Sequence, residues 1–293
     1  MRFKIILNDV RLKAFTEFYF LNTRVDGLLI NDILENFDFI HKIDNSSTFQ
    51  KINSSLDSLQ RELFTRLYGR FKTCHAEEWS NYKYNSCWIS FNLSDSPGTK
   101  TTEGIKTFFQ KAISFNHKII EFEDANKHSL EFLSSLPNFN SDAIIIDHYF
   151  CVNFEKSYKP TLDFLQKTKF HNSIISVLTN YKSYKNDLKK DQKIEKAKKQ
   201  CTMLGFFETD VRGTPNHDRF LFLGPLLIKS GPGFDLGSNN KSGFIDFYNL
   251  YRAEFSRMFF KTIKSNLRLI DNESPYLNES DKITLSKLNA IFS

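Results

Sequence analysis

Apolar and polar positions follow strand or helix spacing along much of the chain, and their pattern predicts the order of elements. The two classes interleave over residues 1–22, which is typical of strands meeting a small core. The pattern predicts a helix over 27–40 and another over 52–71, where leucines recur at steps of three and four. It also predicts a strand at 87–93 and a helix at 105–113.

The second half alternates between short apolar runs and longer amphipathic segments. The predicted elements are a strand at 143–146, a helix at 158–169, a strand at 173–178, a lysine-rich helix at 182–204, short strands at 219–223 and 226–229, and a long helix at 244–265. The first three form a βαβ unit, which implies an α/β sheet with flanking helices.

A length of 293 residues favours two domains. The segment 136–142 combines a proline with several turn formers, so we place the boundary near residue 138. We expect a smaller α+β domain of unknown role at 1–138 and an α/β domain at 139–293.

Composition predicts a protein with a sizeable core, since 40% of residues are hydrophobic, and the 31 Phe are expected to pack inside it. The four cysteines are widely spaced, without a C-x-x-C pair, so neither a metal site nor a disulfide framework is predicted. The N-terminus turns polar too early for a signal peptide, and no apolar run reaches the length of a membrane span. We therefore expect a cytoplasmic protein without metal or cofactor.

Positive charge is concentrated in one segment. Residues 182–199 contain eight lysines against three acidic residues, within a net charge of +6. Such a run is typical of a solvated helix face, or of a surface for an anionic partner such as nucleic acid or phospholipid. The candidate nucleic-acid contacts are Lys182, Lys185, Lys189, Lys190 and Lys193.

The segment 216–223, followed by 228–234, has the densest candidate chemistry. His217 and Arg219 are two residues apart on a predicted strand, so their side chains share a face and could converge on one phosphate. The nearby glycines would let backbone N–H groups approach its oxygens. The alternative is that His217 caps a strand and Asp218 pairs with a cation. The candidate phosphate ligands are Arg219, Lys229, Ser230, Gly231 and Gly233.

These features together resemble a known superfamily. A strand ending in an acidic residue and an aromatic residue (144–149), a second strand, His-Asp-Arg, an apolar strand and a Ser-Gly turn are similar to phospholipase D-like domains over about 140–260. The resemblance is closest to divergent single-copy domains, such as the C-terminal domain of MIT-domain proteins and related bacterial modules. It implies a phospholipase D-like mixed sheet flanked by helices.

Active members of that superfamily carry H-x-K-x4-D-x6-G-S-x-N, in which the histidine is the nucleophile. By this resemblance His217 is the catalytic candidate, Arg219 replaces the lysine, and Gly231 matches the glycine. Gly224 stands at the position of the acid and Pro232 at that of the serine, so the site is degenerate. Any activity would be a metal-independent phosphodiesterase or nuclease reaction.

Two functions follow from the resemblance. The first is a phosphate-recognising module that binds or acts on nucleic acid in a bacterial or mobile-element system, such as defence, as a homodimer that pairs two half-sites. The second is a non-catalytic adaptor that binds phosphoinositide or a protein partner.

Two other groups of polar residues give weaker predictions of a functional site. Asp147 and His148 could form an acid–base pair, but polar residues commonly end a buried strand. His75 with Glu77 and Glu78 has metal-compatible side chains without a zinc-protease spacing, which favours an exposed helix.

Overall fold

The computed structural model describes most of the chain, and its contacts divide the chain into two compact units. The first unit contains the described residues up to 115 together with 251–256, and the second contains those of 116–250 and those after 256. The fold is α/β, as predicted. The described residues are 3–22, 27–75, 90–93, 98–122, 143–147, 149–155, 175–179, 188–205, 219–224, 226–230, 243–268 and 276–292.

The first unit is built on a four-stranded sheet in which every recorded pairing is parallel, in the order β3-β2-β1-β4. Apolar residues of β1 and β2 fill its core. The elements are β1 Phe3–Asn8, α1 Asp9–Asn22, α2 Gly27–Asn36, β2 Phe37–Ile43, α3 Thr48–Ser54, α4 Ser58–Tyr68, β3 Lys72–His75, β4 Ser90–Asn92 and α5 Thr102–Ala112.

The strands predicted across residues 1–22 are wrong beyond Asn8. The Asn8 side chain accepts a hydrogen bond from the backbone N–H of Arg11 (3.1 Å), which stabilises a helix start. Leu12, Phe15 and Phe18 are then buried on one side of α1. The apolar positions after Asn8 therefore follow helical spacing rather than alternation.

Two predicted helices are also corrected. The helix predicted over 27–40 ends at Asn36, because the following residues pair with β1 as strand β2. The helix predicted over 52–71 is interrupted at Asp57, whose side chain accepts from the N–H of Gln60 (2.8 Å) and starts α4. Leu59 of the predicted buried stripe is 61% exposed.

The second unit contains a seven-stranded mixed sheet in the order β5-β11-β10-β9-β6-β7-β8. Strands β6, β7 and β8 are parallel, and the remaining pairings are antiparallel. Strand β5 belongs to this unit although it precedes the predicted boundary at 138. The elements are β5 His117–Phe122, β6 Ala143–Ile146, α6 Phe150–Asn153, β7 Ile175–Thr179, α7 Lys190–Lys198, β8 Thr202–Gly205, β9 Arg219–Leu223, β10 Leu226–Ser230, β11 Gly243–Asn249, α8 Ala253–Leu267 and α9 Glu279–Phe292.

Most short strands of the second half occur where the sequence predicts them. The helix predicted over 244–265 is correct from Ala253 onward and wrong before it, because its first part is β11, which pairs with both β10 and β5. The lysine-rich segment is helical only at 190–198 among the described residues and continues into β8. The helix predicted over 158–169 lies outside the described residues.

Phenylalanines pack the cores, as expected. Phe15 contacts Phe39 and Phe109 in the first unit, with ring centroids 5.0 and 5.8 Å apart. In the second unit Phe222 packs edge-to-face on Phe259 at 4.4 Å. Among the described residues, no helix is long and apolar enough to cross a membrane.

Candidate functional site

A buried ion pair joins two neighbouring strands of the seven-stranded sheet. Asp147 directly follows β6, whose four residues are all buried, and Arg219 is the first residue of β9. The two strands run antiparallel with Ile146 opposite Phe220, so Asp147 and Arg219 meet at the same sheet edge. The guanidinium Nε lies 3.1 Å from Oδ2 of Asp147, and the residues are 6% and 1% exposed.

Asp147 also forms two hydrogen bonds with the backbone, one through its carboxylate and one through its own N–H. Its Oδ1 accepts a hydrogen bond from the N–H of Tyr149 (2.9 Å), and the Asp147 N–H donates to the carbonyl of Leu178 on β7 (3.1 Å). A buried carboxylate needs both a countercharge and hydrogen bonds to offset its desolvation. Asp147 has both, so this strand end is held firmly in place.

Gly224, which the predicted resemblance aligns with an acid, lies in a turn that favours glycine. Gly224 has φ of 58° in the turn between β9 and β10, a backbone conformation that residues other than glycine rarely adopt. The carboxylate beside Arg219 comes instead from Asp147 on the neighbouring strand. Sequence reasoning used Asp147 in the resemblance and as a weak pair with His148, which lies outside the described residues, but it did not pair Asp147 with Arg219.

The predicted phosphate ligands are only partly described. Ser230 on β10 lies opposite Arg219 in the strand register, and Lys229 lies opposite Phe220. Lys229 is half-buried. His217, Gly231 and Gly233 lie outside the described residues. The structure therefore brings Arg219 and Ser230 to one sheet edge, together with Asp147.

Helix α7 carries four lysines outside the positions of its buried residues Ile194 and Ala197. All four are at least partly exposed, and the ammonium of Lys196 lies 3.3 Å from the carboxylate of Glu155. We call them the lysine face, which consists of Lys189, Lys193, Lys196 and Lys199. Lys182 and Lys185 lie outside the described residues.

Two further lysines of α7 have structural contacts. The ammonium of Lys190 lies 4.9 Å from the ring centre of Tyr276. Lys198 donates to the carbonyl of Tyr276 and lies 3.7 Å from the carboxylate of Asp281. Burial raises the pKa of Asp281, while its hydrogen bond from Asn278 and the nearby Lys198 oppose that rise. Lys190, a predicted nucleic-acid contact, therefore packs against an aromatic ring.

Sequence reasoning missed a polar network in the first unit. His41 is 1% exposed on β2, and its ring nitrogens lie 2.8 Å from Oδ1 of Asp9 and 2.7 Å from the hydroxyl of Tyr68. Burial, and then the Asp9 carboxylate, raise the pKa of Tyr68. The available signal was that His41 continues the alternating positions of Phe37 and Phe39 along β2.

Cysteine and metal chemistry receive no support from the described residues. Cys74, Cys151 and Cys201 are buried free thiols. Burial, and then Cys151, raise the pKa of Cys201 to about 12. No group of three or more potential metal ligands occurs within the part of the chain that the structure describes.

Comparisons with known proteins identify no family for this chain. No family model matches it, and no curated protein matches it. Among solved structures it is similar to an archaeal chromatin protein, TrmBL2, described as showing a novel mode of DNA binding. The match has 11% identity, covers 75% of this chain and 69% of the other, and has a TM-score of 0.28. A structural similarity this weak gives no information about the function of this chain.

Proposed function

We propose that residues 140–260 form a divergent phospholipase D-like module that binds the phosphates of nucleic acid and cleaves them weakly or not at all. The relationship that carries the proposal follows from the sheet topology. Arg219 and the N-terminal end of α7, which carries Lys189 and Lys193, belong to the same end of the strands in the seven-stranded sheet. The mixed sheet with flanking helices supports the resemblance on which the phosphate assignment depends.

The topology of the parallel strands supports this shared end of the strands. Asp147 lies at the carboxyl end of β6, and β7 and β8 run parallel to β6. Only three residues, 199–201, separate the end of α7 from the start of β8. A helix that crosses back between parallel strands therefore has its N-terminal end near the carboxyl ends of those strands. Lys189 and Lys193 lie in that N-terminal half.

The charge of the lysine face supports a polyanionic ligand. Its four lysines follow one side of a short helix, and the exposed Asp191 and Glu195 lie on the adjoining side. Lysines spaced along a helix match repeated phosphates better than they match a single anion. The ion pair with Glu155 joins two side chains that are both more than half exposed, so it offers weak competition.

Asp147 gives Arg219 a fixed orientation. A guanidinium carries five N–H donors in one plane, and the recorded contact with Asp147 is made through Nε. An arginine held in one orientation presents its N–H donors in a plane that matches the oxygens of a phosphate. In the proposed module Arg219 positions one phosphate, and the lysine face supplies most of the attraction.

Cleavage needs a histidine with an acid partner and a proton donor for the leaving group. Gly224 occupies the expected acid position and is required by its turn. Asp147 is already engaged by Arg219 and by Tyr149 N–H. Binding is therefore the activity that the described residues support.

The direct test is fluorescence anisotropy with a labelled oligonucleotide, single- or double-stranded, in EDTA. We expect the wild type to bind, and a variant with the lysine face changed to Gln to bind at least tenfold more weakly. Tight binding to phosphoinositide vesicles without nucleic-acid binding would instead establish the adaptor function. The charge-matched control changes four exposed lysines elsewhere to Gln: Lys72, Lys111, Lys261 and Lys287.

A further inference from the structure

The first unit contains a cavity of about 730 Å³ that no part of the proposed function uses. Its walls come from α1, from α3 with the two residues that follow it, and from the segment that enters α5. A volume of this size falls within the range of small-molecule sites, which is roughly 300–1,000 Å³.

The cavity lies at the point of the sheet where ligands are expected. Its lining residue Asp9 directly follows β1, Thr48 follows β2, and Lys100 follows β4. In the order β3-β2-β1-β4, the chain turns to the opposite side of β1 when it forms β4. Open parallel sheets bind ligands outside the carboxyl ends of their strands at such a reversal.

Three lysines on three different segments give the cavity its charge. Lys13 on α1, Lys51 on α3 and Lys100 before α5 are exposed. The ammonium groups of these three lysines have no ion-pair or hydrogen-bond partner among the described residues. Lysines without partners around one concavity favour an anionic ligand.

The two acidic residues of the wall already have hydrogen-bond donors. Asp9 accepts from the backbone N–H of Asn45 and the hydroxyl of Thr48, at 2.8 and 2.7 Å, besides its contact with His41. Glu17 accepts from the hydroxyl of Thr102 (2.8 Å). These contacts hold the carboxylates in place and leave the lysine ammonium groups for a ligand.

The attraction for an anion comes from side chains rather than from helix ends. The N-terminal amides of α1 and α5 are capped by Asn8 and Thr101, respectively. The loop that carries Lys100 lies tightly on α5, because a Cβ on Gly104 would fall 1.8 Å from the carbonyl oxygen of Gly98. Lys100 therefore stands on a closely packed loop.

The cavity also has an apolar wall. Val10 is 53% exposed on its side of α1, and Ala14, Phe20 and Ile52 line the same space. Apolar surface beside a cationic rim fits a ligand that combines an anionic group with a flat or apolar body. A free inorganic anion would leave this wall uncovered.

We propose that this cavity binds a nucleoside phosphate. Lys13, Lys51 and Lys100 hold the phosphates, and the nucleoside lies against Val10 and Phe20. This site is separate from the proposed nucleic-acid surface, because every residue that lines it belongs to the first unit. The lysine-face variant should therefore bind the nucleotide as the wild type does.

The test is isothermal titration of the full chain with ATP, adenosine and tripolyphosphate. We expect saturable 1:1 binding of ATP that is tighter than binding of either fragment. A Lys51→Ala/Lys100→Ala variant should bind ATP at least tenfold more weakly, since one charge-assisted contact corresponds to about a tenfold change. Lys111→Ala, an exposed lysine at the far end of α5, is the matched control and should bind normally.

Three results would overturn the proposal. One is the absence of ATP binding at millimolar concentration. The second is ATP binding that the double variant does not weaken, and the third is tripolyphosphate binding as tight as that of ATP. The variant's urea midpoint, compared with the wild type, shows that any loss is not due to unfolding.

Discussion

The guanidinium Nε of Arg219 lies 3.1 Å from a carboxylate oxygen of Asp147, and both side chains are buried at the end of adjacent antiparallel strands. Removing one member of a buried pair leaves the other charge without compensation. We expect Arg219→Met to lower the free energy of unfolding by about 3–5 kcal/mol, as measured by urea denaturation.

The control for this pair is an exposed one. Arg66 and Glu62 lie 2.6 Å apart on α4, with both side chains largely exposed, so Arg66→Met should cost at most about 1 kcal/mol. An Asp147→Leu/Arg219→Met double variant should lose less than the sum of the two single losses. Strict additivity would mean that the two residues do not stabilise each other.

Lys198 and Asp281 predict a dependence of stability on pH. The folded pKa of Asp281 is raised, so its contribution is fully present below its unfolded pKa and is lost as pH rises through the folded value. Lys198→Met removes a cation that opposes the rise in the pKa of Asp281. We expect the variant to be less stable than the wild type by about 1.5–3 kcal/mol at pH 7, with a smaller difference near pH 4, in urea unfolding. An equal loss at both pH values would contradict the coupling.

Cys201 should be inert in the folded protein. Thiolates are the reactive form, and burial raises the pKa of this thiol to about 12. With iodoacetamide at pH 8, peptide mapping should show Cys201 alkylated at least a hundredfold faster in urea than in native buffer. Labelling of native Cys201 at the rate of a free thiol would show that the strand end at Cys201 opens readily.

Cleavage assays address the degenerate motif. Purified protein in EDTA should show weak or no cleavage of single- or double-stranded nucleic acid, because under the proposed phospholipase D-like assignment Gly224 stands where the motif has its acid. EDTA-resistant cleavage that His217→Ala abolishes would reverse this conclusion. His117→Ala, which changes a histidine on β5 of the same sheet, is the matched control.

The sequence predicts the short strands of the second half well, because runs such as 143–146 are continuously apolar and end in polar residues. It fails at 244–249, the first part of a segment that was predicted as one long helix. Pairing of this first part with β5 and β10 overrides the helical pattern. Helix α1 was predicted as strand. The hydrogen bond between the Asn8 side chain and the Arg11 N–H, which starts the helix, is not visible in the apolar pattern.

The sequence predicts the motif residues of the candidate site but not the contacts between them and distant parts of the chain. Arg219 and Gly224 are visible in the sequence, but the partner of Arg219 is 72 positions earlier and depends on the pairing of β6 with β9. The contacts of Asp9 with His41 likewise depend on the parallel pairing of β1 with β2. Contacts between distant residues require the sheet order, which local patterns do not determine.

The central claim is that the lysine face binds nucleic-acid phosphates, and the salt dependence of affinity tests it most directly. Each phosphate contact with duplex DNA contributes about −0.9 to the slope of log affinity against log salt. Anisotropy titrations from 50 to 300 mM NaCl should therefore give a slope that is shallower by about 3–4 when the lysine face is changed to Gln. The charge-matched control should keep the wild-type slope. An unchanged slope in the lysine-face variant, or an equal loss in the control, would contradict the account.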